Sequence, residues 1–370
     1  MTSHADTQTG TDTAPPRREL ARSMTGRDIV VVGTSAGGVE ALRTLVGGLP
    51  KDFLGSLFVV MHTAPDSPGV LAQILDRWGP LSASNAVNRE QIRPGRVYVA
   101  PPDRHMLLEP GRVLITRGPK ENRFRPAVDP LFRSAAMTYG PRVVGVVLTG
   151  GLDDGTSGLW AIKRLGGAAV VQDPEEAFMP SMPLNALEQV EVDYKLPVAE
   201  IAPLLVKLAR TSVAVQGGYE VPEELNIEVG IAKEDRALDI GLGKLGGPSV
   251  FACPECHGTL LQLKENGRTR YRCHTGHAFS ADSLLAEITG NVETSLWNAI
   301  RAIDESVMLL RHMAEHAREA ENGGEVAEQF LAKAREAERR SGLVRSAVFD
   351  HENLSEEKVA DAADASPATP

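Results

Sequence analysis

Three kinds of side chain in this sequence have the chemistry that nucleophilic catalysis needs. Ser35 lies in the run Gly-Thr-Ser-Ala-Gly-Gly, His62 follows a short apolar run, and Asp153 and Asp154 close a third such run. A serine hydroxyl becomes an effective nucleophile when an imidazole accepts its proton and a carboxylate orients that imidazole. Ser35 also fits Gly-x-Ser-x-Gly, in which glycines permit the sharp turn that exposes a hydroxyl. These residue types predict acyl-transfer chemistry, with either aspartate as the carboxylate.

A glycine-rich turn between a strand and a helix has a second interpretation, because such turns also bind phosphate groups at helix N-termini. A dinucleotide site usually carries Asp or Glu at the end of the second strand, where this chain has His62. Ser35 also replaces the middle glycine of the dinucleotide motif. Both differences favour a hydrolase. A nucleotide-binding α/β enzyme and a non-catalytic signalling module on the same fold remain the alternatives.

The apolar runs that precede these residues predict the elements that position them. Between residues 27 and 210, near-continuous Val/Ile/Leu runs alternate with amphipathic stretches, which is typical of a parallel sheet covered by helices on both faces. We therefore predict a three-layer α/β fold, with residues 97–116 forming an inserted hairpin. Ser35, His62 and Asp154 each follow a predicted strand, and the carboxyl ends of parallel strands share one edge of the sheet.

Five separate runs resemble, in the same order, the catalytic domain of the CheB family of chemotaxis protein-glutamate methylesterases. They are Gly-Thr-Ser35-Ala-Gly-Gly, Val-Val-Met-His62, Arg125-Pro-Ala-Val-Asp129-Pro-Leu-Phe-Arg133-Ser-Ala-Ala, Leu148-Thr-Gly-Gly-Leu-Asp-Asp154-Gly and Met182-Pro183. The resemblance spans residues 27 to about 209, half of the chain. It implies that Ser35 is the nucleophile, that His62 is the general base and then the acid, and that Asp154 orients the imidazole. It also implies that backbone amides near Gly151 and His62 hold the oxyanion.

The same resemblance implies a substrate and a reaction. Members of this family demethylate glutamyl methyl esters on chemoreceptor helices and release methanol, with glutamine deamidation as a related activity. Water is the only cosubstrate, and no catalytic cofactor is expected. Ala36 stands where family members commonly carry Thr. The 26 residues before Arg27 leave no room for the receiver domain that often precedes this catalytic domain, so we expect regulation without one.

Arg125, Asp129 and Arg133 lie within the third of these runs. Their context in the resemblance suggests that they line or brace the cleft. A helix start with an acidic residue followed by an i,i+4 cation is an equally good interpretation.

A second cluster near residue 260 predicts a metal site that is independent of the serine. Cys253-Pro-Glu-Cys256 and Cys273-His-Thr-Gly-His277 flank a short hairpin pattern, and thiolates with imidazoles are the ligands that Zn²⁺ favours. We predict a structural zinc bound by Cys253, Cys256, Cys273 and His277. His274 and His257 are the alternatives for the fourth ligand. Four protein ligands close the coordination shell, which argues against a catalytic metal.

Composition narrows the class of partner. The formal net charge of -10 disfavours a nucleic-acid-binding surface, which needs a basic face. The three cysteines are an odd number crowded near the C-terminus, a poor disulfide framework that favours a reducing compartment. No run approaches the roughly 18 apolar residues that cross a bilayer. We expect a soluble, cytoplasmic protein without membrane insertion.

The changes in composition along the chain predict six segments. They are a disordered leader (1–26), the CheB-type domain (27–210), a linker (211–250), a zinc-ribbon-like unit (251–280), an α-helical hairpin (281–352) and a disordered tail (353–370). The hairpin is predicted from an apolar stripe at helical spacing. The stripe consists of Leu284, Ile288, Val292, Leu296, Ile300, Ile303, Val307 and Leu310. Its helices are expected to bind a protein partner or to self-associate.

Overall fold

The computed structural model describes residues 26–213, 219–234, 237–265, 267–319, 324–351 and 354. The predicted leader, except for its last residue, and the predicted tail, except for Leu354, lie outside the described residues.

A seven-stranded parallel sheet forms the first half of the chain. Its strand order is β3-β4-β2-β1-β7-β8-β9, and every neighbouring pair runs parallel. Its strands are β1 (Ile29–Thr34), β2 (Ser56–Met61), β3 (Ser82–Asn85), β4 (Arg96–Val99), β7 (Val143–Val147), β8 (Ala168–Gln172) and β9 (Tyr194–Leu196). Two further strands, β5 (His105–Glu109) and β6 (Arg112–Thr116), form a separate two-stranded sheet. The predicted parallel sheet is therefore confirmed.

Helices cover both faces of this sheet. They are α1 (Gly38–Gly47), α2 (Leu71–Trp78), α3 (Val128–Tyr139), α4 (Thr156–Arg164), α5 (Ser181–Gln189) and α6 (Val198–Arg210). Successive residues of β1 face opposite sides: Val30 packs in one apolar cluster with α1, α2 and α6, and Val31 packs in the other with α3, α4 and α5. Two buried faces explain why the strands are apolar at every position rather than at alternate ones.

The predicted hairpin of residues 97–116 is wrong in its pairing. Val97 belongs to β4, which lies in the main sheet and pairs parallel with β2. The hairpin is formed by β5 and β6 alone. Val97 and Tyr98 are both completely buried and belong to the clusters on opposite faces of the sheet. A strand that is buried on both faces needs covering layers that a surface hairpin does not have.

The predicted linker contains an ordered helix, α7 (Glu223–Ala232), which packs on α3. Leu225, Val229 and Ala232 join the apolar cluster on that side of the sheet. A four-stranded antiparallel sheet follows, made of β10 (Gly246–Ala252), β11 (Thr259–Glu265), β12 (Arg268–Cys273) and β13 (Ala278–Ser280). We call the chain from β10 onward the C-terminal unit.

The helical hairpin is confirmed. It consists of α8 (Ala281–Arg318) and α9 (Gly324–Phe349). Their contacts run antiparallel, since Asp304 pairs with Arg345 and Arg311 pairs with Glu338. Buried residues recur every seventh position, as in a coiled coil: Ile300, Val307 and Ala314 on α8, and Ala327, Ala334, Ser341 and Val348 on α9. Of the predicted stripe, Ile288 and Val292 are instead exposed. Among the described helices, none combines the length and the apolarity needed to cross a bilayer.

Candidate active site

The turn after β1 places Ser35 at the carboxyl edge of the sheet, just before α1. The Ser35 amide donates to the carbonyl of Thr149, and the Thr149 hydroxyl donates to the carbonyl of Ala36. These bonds hold the serine turn against the turn that follows β7. Gly150 makes this approach possible, because a Cβ at that position would lie 2.1 Å from the Met182 sulfur and 2.8 Å from Ser35 Cβ. Gly37, with φ +76°, begins α1 in a conformation that favours glycine.

His62 follows β2, the strand next to β1, and contacts Asp154 from the turn after β7. His62 Nε2 lies 2.7 Å from Asp154 Oδ2, and both side chains are almost fully buried. Nε2 donates to the carboxylate in this arrangement, so Nδ1 carries the lone pair that a general base needs. Nδ1 is buried and has no hydrogen-bond partner within the described part of the chain. The imidazole is thus oriented by a carboxylate and has one nitrogen free for proton transfer.

The Asp154 carboxylate accepts four hydrogen bonds. Oδ2 accepts from His62 and from the Val128 amide at 2.7 Å, and Oδ1 accepts from Asn122 Nδ2 at 3.0 Å and from the Asp129 amide at 3.2 Å. Burial alone would raise the pKa of Asp154, but the interaction with His62 and the donated hydrogen bonds lower it below its ordinary value. Asp154 is therefore held as an anion, the form that stabilises an imidazolium.

Ser35 and His62 line one cleft of about 320 Å³. No hydrogen bond joins their side chains among the described residues, so the structure brings serine and imidazole to one cavity without the contact that proton transfer requires. Catalytic hydrogen bonds are often long in ligand-free enzymes and shorten when substrate binds. The missing hydrogen bond therefore does not exclude proton transfer between them once a substrate is bound.

One wall of the cleft is formed by residues that precede α3. Phe124 stacks on His62, with ring centroids 3.7 Å apart and planes within 5°. The same wall carries three cations, Lys120, Arg123 and Arg125. Each of them pairs with a carboxylate: Glu255, Glu287 and Asp103, respectively. Each positive charge on this wall is thus balanced by an intramolecular carboxylate.

The two predicted oxyanion donors differ in the structure. The Gly151 amide has no hydrogen-bond partner among the described residues, whereas the His62 amide donates to the carbonyl of Thr34 at 3.2 Å. An oxyanion would therefore meet no competing intramolecular acceptor at the Gly151 amide, whereas the His62 amide would have to share its hydrogen with the Thr34 carbonyl. Both assignments stay predictions.

The two interpretations of Arg125, Asp129 and Arg133 each hold in part. Arg125 lines the cleft, while Asp129 lies in the first turn of α3 and its Oδ2 is 3.8 Å from the Arg133 guanidinium. Asp129 also braces the site, because it accepts from the amides of Gly155 and Gly158 at the start of α4. Burial and the neighbouring charge of Asp154 raise the pKa of Asp129 to about 7.

Asn122 and Phe124 were not identified from the sequence. They lie in an irregular stretch between β6 and α3, where hydrophobic periodicity gives no signal. The proximity of Asn122 to the run that begins at Arg125 was the available clue. Asp153, the alternative carboxylate, does not contact the imidazole: it accepts hydrogen bonds from Ser280 and Arg268.

The four predicted metal ligands lie together in the C-terminal unit. The ligand atoms of Cys253, Cys256, Cys273 and His277 are all within 4.8 Å of one another. The Cys256 and Cys273 sulfurs are 3.6 Å apart, and His277 Nδ1 lies 3.5 Å from Cys273 Sγ and 3.7 Å from Cys253 Sγ. All three cysteines are free of disulfides.

Comparison with known proteins gives concordant matches to the first half of the chain. The family model described as CheB methylesterase matches residues 30–205. A putative protein-glutamate methylesterase/protein-glutamine glutaminase of Leptospira interrogans is 38% identical over 187 residues, which are 50% of this chain and 97% of that protein. A protein of Anaeromyxobacter dehalogenans, named protein-glutamate methylesterase/protein-glutamine glutaminase 2, is 40% identical over 52% of this chain and 57% of its own length. The crystal structure of the Thermotoga maritima CheB methylesterase catalytic domain matches with 36% identity and a TM-score of 0.47, over 49% of this chain and 98% of that one.

Proposed function

The chain belongs to the CheB methylesterase family, and we propose that it hydrolyses glutamyl methyl esters on chemoreceptor-like helical proteins through Ser35, His62 and Asp154. The observation that carries the proposal is the buried His62–Asp154 pair. Nδ1 of His62 has no hydrogen-bond partner among the described residues, and His62 lines the same cleft as Ser35. A phosphate-binding turn would not need a carboxylate-oriented imidazole beside it.

The chemistry follows from these groups. Ser35 Oγ attacks the ester carbonyl carbon while His62 Nδ1 takes its proton, and Asp154 stabilises the imidazolium that forms. The tetrahedral oxyanion binds amides at the cleft, Gly151 among them. Its collapse breaks the ester C–O bond, and the imidazolium protonates the leaving methoxide to give methanol. His62 then takes a proton from water, which attacks the acyl-enzyme carbonyl. The bond between that carbonyl carbon and Ser35 Oγ breaks, the imidazolium returns a proton to Ser35, and the glutamate carboxylate is released. Deamidation of glutamine follows the same steps with ammonia as the leaving group.

The cations at the cleft mouth support an acidic, helical substrate. Hydrolysis of glutamyl methyl esters leaves glutamate side chains on the substrate, and Lys120 and Arg123 can exchange their intramolecular carboxylates for those of the substrate. The cytoplasmic location that such a substrate requires is compatible with three unpaired cysteines.

The proposed activity is tested by methanol release from a purified chemoreceptor fragment that carries glutamyl methyl esters. We expect Ser35→Ala and His62→Ala to lower turnover on the order of 10⁴-fold or more, because the triad members act as a unit. Ser346→Ala, at an exposed serine of α9, is the matched control and should retain full turnover. Turnover that survives Ser35→Ala, or a wild-type protein that releases no methanol, would contradict the proposal.

We propose in addition that the Cys/His cluster binds a structural zinc. In a tetrahedral site with Zn–S bonds of about 2.3 Å and Zn–N bonds of about 2.0 Å, neighbouring ligand atoms lie about 3.5–3.8 Å apart. The Cys256–Cys273, His277–Cys273 and His277–Cys253 distances of 3.6, 3.5 and 3.7 Å fall in that range. Such a metal would hold two chain turns together and supply folding free energy to a unit with a small core.

Metal analysis of the purified protein tests the zinc. One equivalent is expected in the wild type and none in Cys253→Ser or Cys273→Ser. His277→Ala should lose the metal, while His274→Ala, at an exposed neighbour, should keep it. A wild-type stoichiometry near zero, or loss of metal in His274→Ala alone, would overturn this ligand set.

The boundaries that we propose are 27–210 for the esterase domain, 211–250 for the connection, 251–280 for the metal-binding unit and 281–352 for the helical hairpin. The ordered helix α7 indicates that the connection is in part fixed to the esterase domain.

A further inference from the structure

Residues 118–125, which we call the bridging segment, lie between the cleft and the C-terminal unit. One side of the segment supplies Lys120, Arg123 and Phe124 to the cleft. The other side pairs with the strand β13: the Asn122 amide donates to the Ala278 carbonyl at 2.8 Å, and the Ala278 amide donates to the Lys120 carbonyl at 3.2 Å. The same short stretch of backbone therefore shapes the cleft and attaches the C-terminal unit.

Asn122 makes the most direct connection between the two. Its side chain is buried, at 4% exposure, and Nδ2 donates to Asp154 Oδ1 at 3.0 Å and to Asp129 Oδ2 at 3.1 Å. Its Oδ1 accepts from the Ser280 amide at 3.1 Å and from the Ser283 hydroxyl at 3.2 Å. Both serines belong to the beginning of α8. One side chain thus joins the C-terminal unit to the carboxylate of the triad.

These partners allow the Asn122 amide only one orientation. An amide oxygen only accepts hydrogen bonds and an amide nitrogen only donates them. With Oδ1 held by donors at the start of α8, Nδ2 must face Asp154 and Asp129. A flipped amide would place its oxygen against two carboxylates and its nitrogen against an N–H group, leaving several buried polar atoms unsatisfied. The start of α8 therefore ensures that the Asn122 nitrogen, and not its oxygen, faces the Asp154 carboxylate.

The C-terminal unit also contacts Asp153, the residue before Asp154. Asp153, adjacent to Asp154 in the chain, accepts from the Ser280 hydroxyl at 2.7 Å and from Arg268 of β12 at 3.2 Å. Ser280 also caps α8 through a reciprocal pair of bonds with Ser283. The turn that carries Asp154 is thereby fixed by the C-terminal unit at two adjacent carboxylates.

We propose that Asn122 is a positioning residue for Asp154 and that docking of the C-terminal unit, through Ser280 and Ser283, completes the esterase active site. This inference rests on the proposed methylesterase function. Without the amide, Asp154 Oδ1 keeps only the 3.2 Å bond from the Asp129 amide, so that side of the carboxylate is held less firmly and the direction of the imidazole is less fixed. Misplacement of a catalytic group lowers the rate of the chemical step more than it weakens binding.

The first test compares Asn122→Ala with Asn226→Ala, at an exposed asparagine of α7. We expect Asn122→Ala to lower kcat about 10- to 100-fold with KM changed less than about 2-fold, because the lost interaction serves the transition state. Asn226→Ala should match the wild type. The downfield proton resonance of the His62–Asp154 hydrogen bond, assigned by its loss in His62→Ala, should shift or broaden in Asn122→Ala. A wild-type kcat with an unchanged resonance would overturn the proposal.

The second test addresses the coupling and remains decisive where Asn122→Ala fails to fold. Ser283→Ala removes one donor to Asn122 Oδ1, and within the described residues Ser283 forms no hydrogen bond to a residue that lines the cleft. Ser295→Ala removes an exposed hydroxyl from the same helix. Ser283→Ala should lower kcat about 3- to 10-fold at constant KM and shift the same resonance, whereas Ser295→Ala should do neither. Equal kcat values and unchanged spectra in both variants would refute the coupling.

Ser35→Ala, assayed in the same experiment, distinguishes failure of the proposed methylesterase function from failure of the proposed role of Asn122. If Ser35→Ala still releases methanol, the proposed function fails and the positioning role fails with it. If Ser35→Ala is inactive while Asn122→Ala and Ser283→Ala retain wild-type kcat and spectra, only the present inference fails.

Discussion

The esterase sheet and the C-terminal unit are stabilised by different interactions. The parallel sheet buries apolar side chains on both faces, in two extensive clusters. The antiparallel sheet of the C-terminal unit has a small core, made of Cys253, Leu260, Cys273, Phe279 and Leu284. Two of these five are proposed metal ligands. A unit with so little apolar burial needs other sources of folding free energy, such as a metal or a docking partner.

The surface between the two regions is also unusual, because it buries charges. Arg133 of α3 and Glu121 of the bridging segment meet Glu228 of α7 and Arg272 and Arg270 of β12. All five side chains are at most 6% exposed. A buried ion pair adds little net stability, but removing one partner is costly since a charge stays buried without compensation. The parallel sheet can therefore fold by apolar burial, whereas the C-terminal unit depends on specific polar partners.

The largest expected effect comes from Cys273→Ser. Structural zinc sites contribute on the order of 10 kcal/mol to the folding of small units, so this change should unfold the antiparallel sheet while the parallel sheet stays folded. Limited proteolysis should release a stable fragment that ends between α7 and β10, because α7 packs on the esterase domain. Leu42→Ala, in the sheet core, is the converse variant and should destabilise the esterase domain by about 2–5 kcal/mol. A single cooperative transition that includes the esterase sheet in Cys273→Ser would refute the division into two regions.

Arg272→Met should produce the next largest effect. It leaves Glu121 and Glu228 buried with fewer cations, and breaking a buried pair costs about 3–5 kcal/mol. The free energy of unfolding from urea titration measures this loss. The double variant Arg272→Met/Glu228→Gln should recover part of it, because it removes charge of both signs. Equal destabilisation in the single and double variants would show that packing, not charge, dominates this surface.

Acid should weaken the charged surface before it weakens the sheet. Burial alone would raise the pKa of Glu121 and Glu228, but the neighbouring arginines lower both below the ordinary value of 4.5. For a carboxyl group with a lowered folded-state pKa, the stabilisation is present above the unfolded pKa and is lost as pH falls toward the folded one. The free energy of unfolding should therefore fall as pH decreases below about 4.5. Glu228→Gln should flatten that slope, and Glu338→Gln, at an exposed position, should leave it unchanged.

The smallest effect is expected from the exposed ion pair between Arg311 and Glu338 on the hairpin. Both side chains are more than 40% exposed, and such pairs contribute about 0–1 kcal/mol. Arg311→Met should shift the free energy of unfolding by less than about 1 kcal/mol. A loss comparable with that of Arg272→Met would mean that burial does not distinguish the two surfaces.

The sequence predicted the esterase half well, for a physical reason. A strand that is buried on both faces must be apolar at nearly every position, so β1, β2 and β7 stand out, and the residues that follow them lie at one edge of the sheet. The prediction failed where this signal is weak. β4 is only four residues long and was paired with the wrong strand, and α5 and α7 were not predicted.

The sequence by itself determined the parallel sheet, the placement of serine, histidine and aspartate at one of its edges, the cysteine/histidine spacing and the long helical hairpin. Each of these depends on local pattern, which the residue order contains directly. Only the tertiary structure decided that Nδ1 of His62 is the free nitrogen, that Arg272 meets Glu121 across 151 positions of the chain, and that Asn122 joins α8 to Asp154. Such contacts follow from how separate elements pack, and no periodicity in the sequence records them.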